Sequence, residues 1–334
     1  MAGKKVAIDL GTANSLVAVQ GRGVVVSEPT VVAISLDDKQ VLAIGEEAKE
    51  MLGKVPGNIV ARRPIRQGVI ASYKLTEALI SNLLNKALGR TRFFKPEVMI
   101  SVPAGVTSVE ERAVIEAAAS AGAGKIYLIP EPIAAAIGAK LPISTSAGNM
   151  IVNMGGGTSE IAVISMNGIV TFESKRIAGD AVNDAIANHM RRRHNILVGE
   201  QMAEKIKIEI GSATLLDTPL EMEVRGRDAT SGMPISVVVN SNDIVDSIKV
   251  VLNQIIGSIK NVLEKTPPEL SSDIIDRGMV LSGGTALIRN IDELFTKATG
   301  VPAHVVDNPL HTVVNGVSES LEHLDVIKRS LRGS

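Results

Sequence analysis

The segment Val6-Ala-Ile-Asp-Leu-Gly-Thr-Ala-Asn-Ser-Leu-Val-Ala-Val19 decides the fold, because its pattern returns as Met150-Ile-Val-Asn-Met-Gly-Gly-Gly-Thr-Ser-Glu-Ile-Ala-Val-Ile164. Each copy is an apolar strand, a tight turn of glycine and hydroxyl residues, and a second apolar strand. Glycine lets a backbone approach a ligand closely and point its N–H groups at it. Two such hairpins that face each other predict a clamp for the phosphates of a nucleotide, held between two related halves.

A third glycine turn, Met279-Val-Leu-Ser-Gly-Gly-Thr285, follows another apolar run and precedes a helix-like run at 286–291. It can hold the nucleoside or an α-phosphate at a helix N-terminus. Three consecutive glycines, Gly155 to Gly157, carry a large entropic cost inside a strand pair. Backbone N–H groups that cradle the terminal phosphates would explain them. The motif is not a P-loop, because no lysine follows the glycines and the next element is a strand.

The composition is that of an ordinary globular protein, with 45% hydrophobic and 21% charged residues in 334. The net charge of −1 gives no basic field that would attract nucleic acid. The absence of cysteine excludes disulfides and thiolate metal sites and suits a reducing cytoplasm. No apolar run reaches the ~20 residues of a spanning helix, and the start predicts neither a signal peptide nor an N-terminal amphipathic anchor. Strands followed by helices, twice over, predict an α/β fold with an internal duplication.

Several charged residues suit a nucleotide site, and each also has a plain structural explanation. Asp9 ends a buried strand, where a hydrated Mg²⁺ on a nucleotide phosphate would balance its charge; a turn-forming aspartate is the alternative. Glu131 lies at a strand-to-helix junction, where it can orient a water or simply favour the helix dipole. Glu204 and Lys207 lie on a predicted helix, where they line a base or ribose pocket or form a solvated face.

The adjacent aromatics Phe93 and Phe94 join a predicted helix to a predicted strand and are flanked by arginine and lysine. Exposed aromatics with basic neighbours suit the headgroup region of an anionic bilayer. The alternative is a small core cap beneath the helix. We expect membrane contact through this pair.

These motifs, in this order, resemble the actin, heat-shock ATPase and sugar-kinase superfamily. Within it, the whole chain is most similar to the bacterial actin family MreB. The segments that carry this resemblance are 7–14, 101–110, 131–138, 176–180, 204–211 and 265–270.

The resemblance implies an actin-like ATPase fold of two ribonuclease H-like domains, or four subdomains, around a nucleotide cleft. Residues 1–143 with 315–334 would form the first half, with subdomain IB inserted at about 30–70. Residues 144–314 would form the second half, with subdomain IIB inserted at about 178–243. The resemblance also implies binding of ATP and Mg²⁺ and self-assembly into paired protofilaments. It further implies a cell-shape scaffold at the cytoplasmic face of the inner membrane, where wall-synthesis or membrane-anchor proteins would be partners.

Site residues follow from the resemblance by position. Glu131 and Thr158 match residues that position the hydrolytic water, and Asp9 would hold Mg²⁺ through water. The nucleotide-binding set comprises Asp9, Gly11, Thr12, Ala13, Asn14, Asn153, Gly155, Gly156, Gly157, Thr158, Glu204, Lys207, Gly283, Gly284 and Thr285.

The chain departs from the family pattern at its second phosphate loop, which usually opens with aspartate but here has Asn153. Asparagine keeps hydrogen bonding and lacks the charge that helps to hold Mg²⁺ and its waters. We therefore expect a weak ATPase whose hydrolysis is slow. A non-hydrolysing scaffold and a small-molecule kinase of the same superfamily are the alternatives; the kinase would need a substrate pocket with a base near the γ-phosphate, for which Glu131 is the one obvious acid.

Overall fold

The computed structural model describes residues 4–90 and 94–324. The strands up to residue 130 are β1 (Lys5–Leu10), β2 (Asn14–Val19), β3 (Gly23–Pro29), β4 (Val32–Ser35), β5 (Val41–Ile44), β6 (Ile59–Arg62), β7 (Ile65–Arg66), β8 (Val69–Ile70), β9 (Glu97–Val102) and β10 (Ile126–Pro130). The later strands are β11 (Asn149–Met154), β12 (Ser159–Ser165), β13 (Gly168–Lys175), β14 (Ile196–Leu197), β15 (Glu221–Asp228), β16 (Pro234–Asn240), β17 (Met279–Ser282) and β18 (Ala303–Val305). The helices are α1 (Glu46–Glu50), α2 (Tyr73–Leu88), α3 (Ser108–Ser120), α4 (Glu131–Gly138), α5 (Gly179–His194), α6 (Glu200–Ile210), α7 (Ser241–Lys265), α8 (Pro268–Arg277), α9 (Ile291–Thr299) and α10 (Thr312–Glu322), with a 3₁₀-helix at Gly284–Leu287.

Two five-stranded sheets share one topology. The first has the order β3-β2-β1-β9-β10 and the second the order β13-β12-β11-β17-β18. In each, an antiparallel meander is extended by two parallel strands on the open side of its first strand. This repeated order confirms the internal duplication that the two glycine hairpins predict. The duplication also aligns β1 with β11, so that Asp9 and Asn153 occupy equivalent positions.

Smaller sheets flank the two large ones. β5-β4-β6 forms one three-stranded sheet and β14-β15-β16 another, while β7 and β8 form a short hairpin. These elements lie within the ranges 30–70 and 178–243 that the sequence assigns to inserted subdomains. The exact division of the chain into halves remains a prediction.

The helices α4 and α10 join the two large sheets. One apolar cluster combines Ala7 of β1 and Ile151 of β11 with Ala134 of α4 and Val314 of α10. The two helices pack so closely that a Cβ on Gly316 would overlap the Ala134 carbonyl oxygen. Because this cluster contains residues of both central strands, β1 and β11, it fixes the two sheets and their glycine hairpins relative to each other.

The structure differs from the sequence prediction after the third glycine turn. In place of a helix-like run over 286–291, a 3₁₀-helix ends at Leu287, and α9 begins at Ile291. Asn290 lies between them in the left-handed conformation, with φ of 58°, which interrupts a continuous helix. No helix in residues 4–90 or 94–324 is long and apolar enough to cross a bilayer.

Candidate functional site

A cavity of about 420 Å³ opens between the two large sheets, at the turns of both glycine hairpins. The structure brings all of the predicted nucleotide-site residues to its walls. They are Asp9, Gly11, Thr12, Ala13, Asn14, Glu131, Asn153, Gly155, Gly156, Gly157, Thr158, Glu204, Lys207, Gly283, Gly284 and Thr285. These residues span most of the chain, so their convergence depends on the duplicated fold.

The two hairpin turns contact each other directly. A Cβ on Gly156 would lie 2.7 Å from the Ala13 Cβ, and a Cβ on Gly157 would lie 2.5 Å from Thr12 Oγ1. Both distances are too short for a side chain, so these glycines are required for the approach of the two turns as well as for any ligand contact. None of residues 155–157 needs a positive φ. The contact between the two turns therefore explains why glycine is needed at positions 156 and 157. The sequence pattern did not reveal this reason.

The third glycine turn is bonded to the second hairpin. Gly283 adopts a φ of 83°, and a Cβ there would overlap the backbone of Met154. Thr285 Oγ1 donates a hydrogen bond of 2.7 Å to the Gly155 carbonyl oxygen. The turn and the hairpin therefore form one wall of the cavity.

Carboxylates gather at the deep end of the cavity. Asp9 accepts a hydrogen bond of 2.9 Å from Ser101 Oγ, yet burial raises the pKa of Asp9 to about 6. Burial also raises the pKa of Glu131 well above its ordinary value, and the nearby charges of Glu160 and Asp9 raise it further. Burial thus favours the protonated forms of these carboxyl groups, and a cation bound in the cavity would favour the ionised forms.

Asn153 lies beside Glu131 with only 4% of its surface exposed. Its Nδ2 is 3.5 Å from Glu131 Oε2, at the long limit of a hydrogen bond. Its buried Oδ1 has no hydrogen-bond partner among the described residues. An acceptor left unpaired in this way is costly unless a ligand or water bonds to it.

The opposite end of the cavity combines charge with apolar surface. Lys207 Nζ donates to the Gly179 carbonyl oxygen at 3.2 Å, and burial lowers the pKa of Lys207. Glu204 Oε2 forms a 3.1 Å ion pair with Lys49 Nζ from the other side of the cleft. The apolar part is lined by Ile208, Leu287 and Leu310, which have no pattern that reveals them in the sequence.

A second contact crosses the mouth of the cleft and was not predicted. The Arg63 guanidinium pairs with Glu200 Oε1 at 2.7 Å and donates to the carbonyl oxygens of Thr12 and Ala13 at 3.2 and 3.3 Å. It thus connects the first hairpin turn with α6. Because Arg63 and Glu200 are 137 residues apart, no local pattern links them.

Of the predicted membrane pair, Phe93 lies outside the described residues. Phe94 is 59% exposed, which is unusual for a large aromatic side chain.

The repeated sheet topology and the cleft between the two sheets define an actin-like protein. The double helical filament of MamK has the same fold, with a TM-score of 0.77 at 19% identity over 95% of this chain and 99% of that one. MreB5 of Spiroplasma citri bound to AMPPNP superposes with a TM-score of 0.93, at 32% identity and 100% coverage of both chains.

Within this class, the chain belongs to the MreB/Mbl protein family, whose model matches residues 3–329. The cell shape-determining protein MreB of Escherichia coli strain K12 is 48% identical over 325 residues, covering 96% of this chain and 93% of that protein. The cell shape-determining protein Mbl of Bacillus subtilis strain 168 is 44% identical over 332 residues, covering 99% and 100%.

Proposed function

We propose that this chain is an ATP-binding, filament-forming bacterial actin that assembles at the cytoplasmic face of the inner membrane as a cell-shape scaffold. The observation that carries the proposal is the pair of contacting glycine hairpins, with every predicted nucleotide-site residue around one cavity. A similar protein, MreB5 of Spiroplasma citri, has been solved bound to AMPPNP and to ADP. Membership of a family with cell shape-determining relatives supports the cellular role.

The cavity suits a nucleotide in both size and chemistry. Backbone N–H groups of the two hairpin turns provide donors for phosphate oxygens. The apolar end near Leu287 and Leu310 suits a base, with Glu204 and Lys207 available to the base and ribose. The nucleotide would therefore have its phosphates at the contacting turns and its nucleoside beside the third glycine turn.

The donor set also suits Mg²⁺ held largely through water and phosphate. Among residues 4–90 and 94–324, no group of three or more His, Cys, Asp or Glu side chains is placed to ligate a metal directly. Asp9, with its pKa raised to about 6 by burial, and Asn153, with its unpaired Oδ1, both gain from a hydrated cation. Bound Mg²⁺ would neutralise phosphate charge, while Asp9 would orient its waters.

Slow hydrolysis is expected from the side chains at the phosphate end of the cavity. Glu131 and Thr158 line the phosphate end and would position the attacking water. Asn153 supplies hydrogen bonds there in place of a second carboxylate, so the Mg²⁺ waters are held less tightly. A scaffold that binds ATP without hydrolysing it is the second candidate, and the same Asn153 favours it.

Assembly and membrane contact complete the proposal. Self-association into paired protofilaments is supported by the filament of MamK, which shares the fold. Exposed Phe94, together with Phe93 and the flanking basic residues, would contact an anionic membrane. Wall-synthesis or membrane-anchor proteins would be the further partners, and the near-neutral charge gives no reason to expect nucleic acid.

The test is electron microscopy of the purified chain on an anionic lipid monolayer, with and without Mg-ATP, alongside a phosphate-release assay. Paired filaments that require Mg-ATP are expected, with phosphate release slower than that of an MreB whose second loop opens with aspartate. Phe94→Asp should abolish lipid binding while filaments still form in solution. Monomers under every nucleotide condition would contradict the proposal and favour a kinase.

A further inference from the structure

Two buried polar atoms that lack a hydrogen-bond partner among the described residues lie on neighbouring strands of the second sheet. They are Oδ1 of Asn153, at the end of β11, and Oγ of Ser282, at the end of β17. The two strands are parallel, and Asn153 and Ser282 are register partners. Asn153 is 4% exposed and Ser282 is fully buried. Burying either atom unpaired is unfavourable, so one partner shared by both would stabilise this part of the fold.

Both side chains lie on the face of the sheet that packs against helix α4. Successive side chains of a strand alternate between the two faces of its sheet. Ile151 and Val280, two residues earlier in each strand, pack in the apolar cluster that contains residues of α4 and α10. Asn153 and Ser282 therefore lie on this same face. The 3.5 Å contact between Asn153 and Glu131 of α4 agrees with that placement.

The first half of the molecule contains the same pair of positions with a completed hydrogen bond. Strand β9 is parallel to β1, and Ile8 pairs with Ile100, so Asp9 and Ser101 are neighbours at the strand ends. Ser101 Oγ donates a hydrogen bond of 2.9 Å to Asp9 Oδ1. Because β1 and β9 correspond to β11 and β17 in the repeated topology, Ser282 occupies the position of Ser101. The serine thus bonds directly to its neighbour in the first half, whereas in the second half the two groups are not bonded to each other.

The spacing of the strands suits one water molecule between the two groups. Neighbouring strands lie ~4.8 Å apart, which two hydrogen bonds that meet at one oxygen atom can span. A buried water needs about two to four polar partners. Asn153 Oδ1 can accept one hydrogen of the water, and Ser282 Oγ can donate to the water oxygen. One lone pair of the water then remains available to a cation in the cavity.

We propose that Ser282 is a positioning residue of the nucleotide site, which holds one buried water against Asn153 Oδ1 and so fixes the orientation of the Asn153 amide. In this orientation the Nδ2 donor is directed at Glu131 and the Oδ1 acceptor at the water. The inference rests on the proposed function in so far as Asn153 contributes to the binding of nucleotide and Mg²⁺. The water and its two partners are a property of the folded chain and can be measured without nucleotide.

The sign of a stability change separates this proposal from a hydroxyl that is simply unpaired. Removing an unpaired buried hydroxyl is neutral or stabilising, whereas removing one partner of a bridged pair leaves the other unsatisfied. In nucleotide-free protein, Ser282→Ala should therefore lower the midpoint of thermal unfolding by ~3 °C. In an Asn153→Ala background the same change should lower the midpoint by less than ~1 °C, because the bridge is already lost.

The matched control is Ser320→Ala in α10. Ser320 Oγ is also buried without a partner among the described residues. It lies away from the cavity, next to Leu321, whose carbonyl oxygen accepts a hydrogen bond from Lys5 at the start of β1. An unchanged or higher midpoint is expected for this control. The proposal is overturned if Ser282→Ala leaves the midpoint unchanged or raises it, if the midpoint falls equally in both backgrounds, or if Ser320→Ala lowers it as much.

A crystal structure of nucleotide-free protein tests for the water directly. In wild type we expect one water within hydrogen-bond distance of both Asn153 Oδ1 and Ser282 Oγ. In Ser282→Ala this water should be absent or displaced, and the Asn153 amide should adopt a different orientation. A wild-type structure whose electron density shows no water between the two side chains overturns the proposal.

The dependence of nucleotide binding on Mg²⁺ tests the positioning role. Wild type and Ser282→Ala are titrated with Mg²⁺ in the presence of a fluorescent ATP analogue, and binding in EDTA is measured separately. Ser282→Ala should raise the Mg²⁺ concentration at half-maximal binding about fivefold and leave binding in EDTA unchanged. An equal Mg²⁺ requirement overturns the positioning role. A wild-type chain that binds no analogue contradicts the proposed function instead, and the thermal and crystallographic measurements still decide whether Ser282 holds the water.

Discussion

Replacing Asp9 with asparagine should stabilise the nucleotide-free protein at neutral pH, although it removes a residue from the proposed site. The folded-state pKa of about 6 exceeds the ordinary value of 3.8 by about 2 units, equivalent to ~3 kcal/mol. Because Asp9 borders the open cavity, solvent lowers this figure to ~2 kcal/mol. Asparagine can still accept the hydrogen bond from Ser101 Oγ, so the change isolates the charge.

The pH window of this effect follows from the direction of the shift. The folded state binds the Asp9 proton more tightly than the unfolded state does. The protonated group therefore contributes stability that is fully present below pH 3.8 and lost as pH rises through about 6. The advantage of Asp9→Asn should accordingly be small near pH 4 and reach ~2 kcal/mol above pH 7.

Urea denaturation of nucleotide-free protein from pH 4 to 8 measures this difference. The exposed Asp217→Asn, which removes the same formal charge, is the control and should change the unfolding free energy by less than ~0.5 kcal/mol. Adding Mg²⁺ and ATP should reverse the order at pH 7.5 if Asp9 orients the Mg²⁺ waters as proposed, because wild type alone keeps that carboxylate. Parallel wild-type and Asp9→Asn stability curves across the whole pH range would refute the reasoning.

Further predictions concern the second hairpin, the helix crossing and the cleft mouth. Asn153→Asp should raise the rate of phosphate release and steepen its Mg²⁺ dependence. It should also lower the thermal stability of the nucleotide-free protein. An unchanged rate of phosphate release would mean that the missing charge does not limit hydrolysis. Gly316→Ala should destabilise the fold by ~3 kcal/mol in the same denaturation assay, because its Cβ would overlap the α4 backbone. The control is Gly257→Ala in α7, where a Cβ meets nothing within 4 Å, and it should stabilise the fold by ~0.5 kcal/mol. Arg63→Ala should speed release of a fluorescent ATP analogue about tenfold, because it removes charge-assisted bonds at the cleft mouth, and Glu200→Gln should speed release less. Equal release rates in wild type and both variants would show that this contact does not hold the cleft closed.

Much of the fold could be predicted because its decisive signal is local. A strand, a glycine turn and a second strand are adjacent in the chain, and their repetition predicts a duplicated sheet without any long-range information. The residues of the predicted nucleotide site belong to such local motifs or match the family by position. The sequence therefore identified many of the glycine and polar residues of the cavity wall, but neither its apolar residues Ile208, Leu287 and Leu310 nor any of the distances.

The features that the sequence did not reveal depend on contacts between distant segments. Arg63 and Glu200 read separately as surface charges, and only the fold brings them within 2.7 Å. Glu160 belongs to the second hairpin motif, but its hydrogen-bond partner Ala104 is 56 residues away in the sequence. The close fit of Gly157 against Thr12 is likewise a contact between motifs, so a sequence argument assigned that glycine to ligand contact alone.

The duplicated hairpins differ in charge at equivalent positions, and this difference has an energetic consequence. The first half has Asp9 opposite Leu16, and the second half has Asn153 opposite Glu160. Each hairpin thus contributes one carboxylate at this level of the cleft, where an aspartate at 153 would add a third beside Glu131. Like charges in a buried cluster raise one another's pKa and destabilise the ionised state. We therefore expect Asn153 to stabilise the nucleotide-free cleft at the cost of a weaker hold on Mg²⁺, which would connect the proposed slow hydrolysis with a scaffold that persists when its nucleotide is lost.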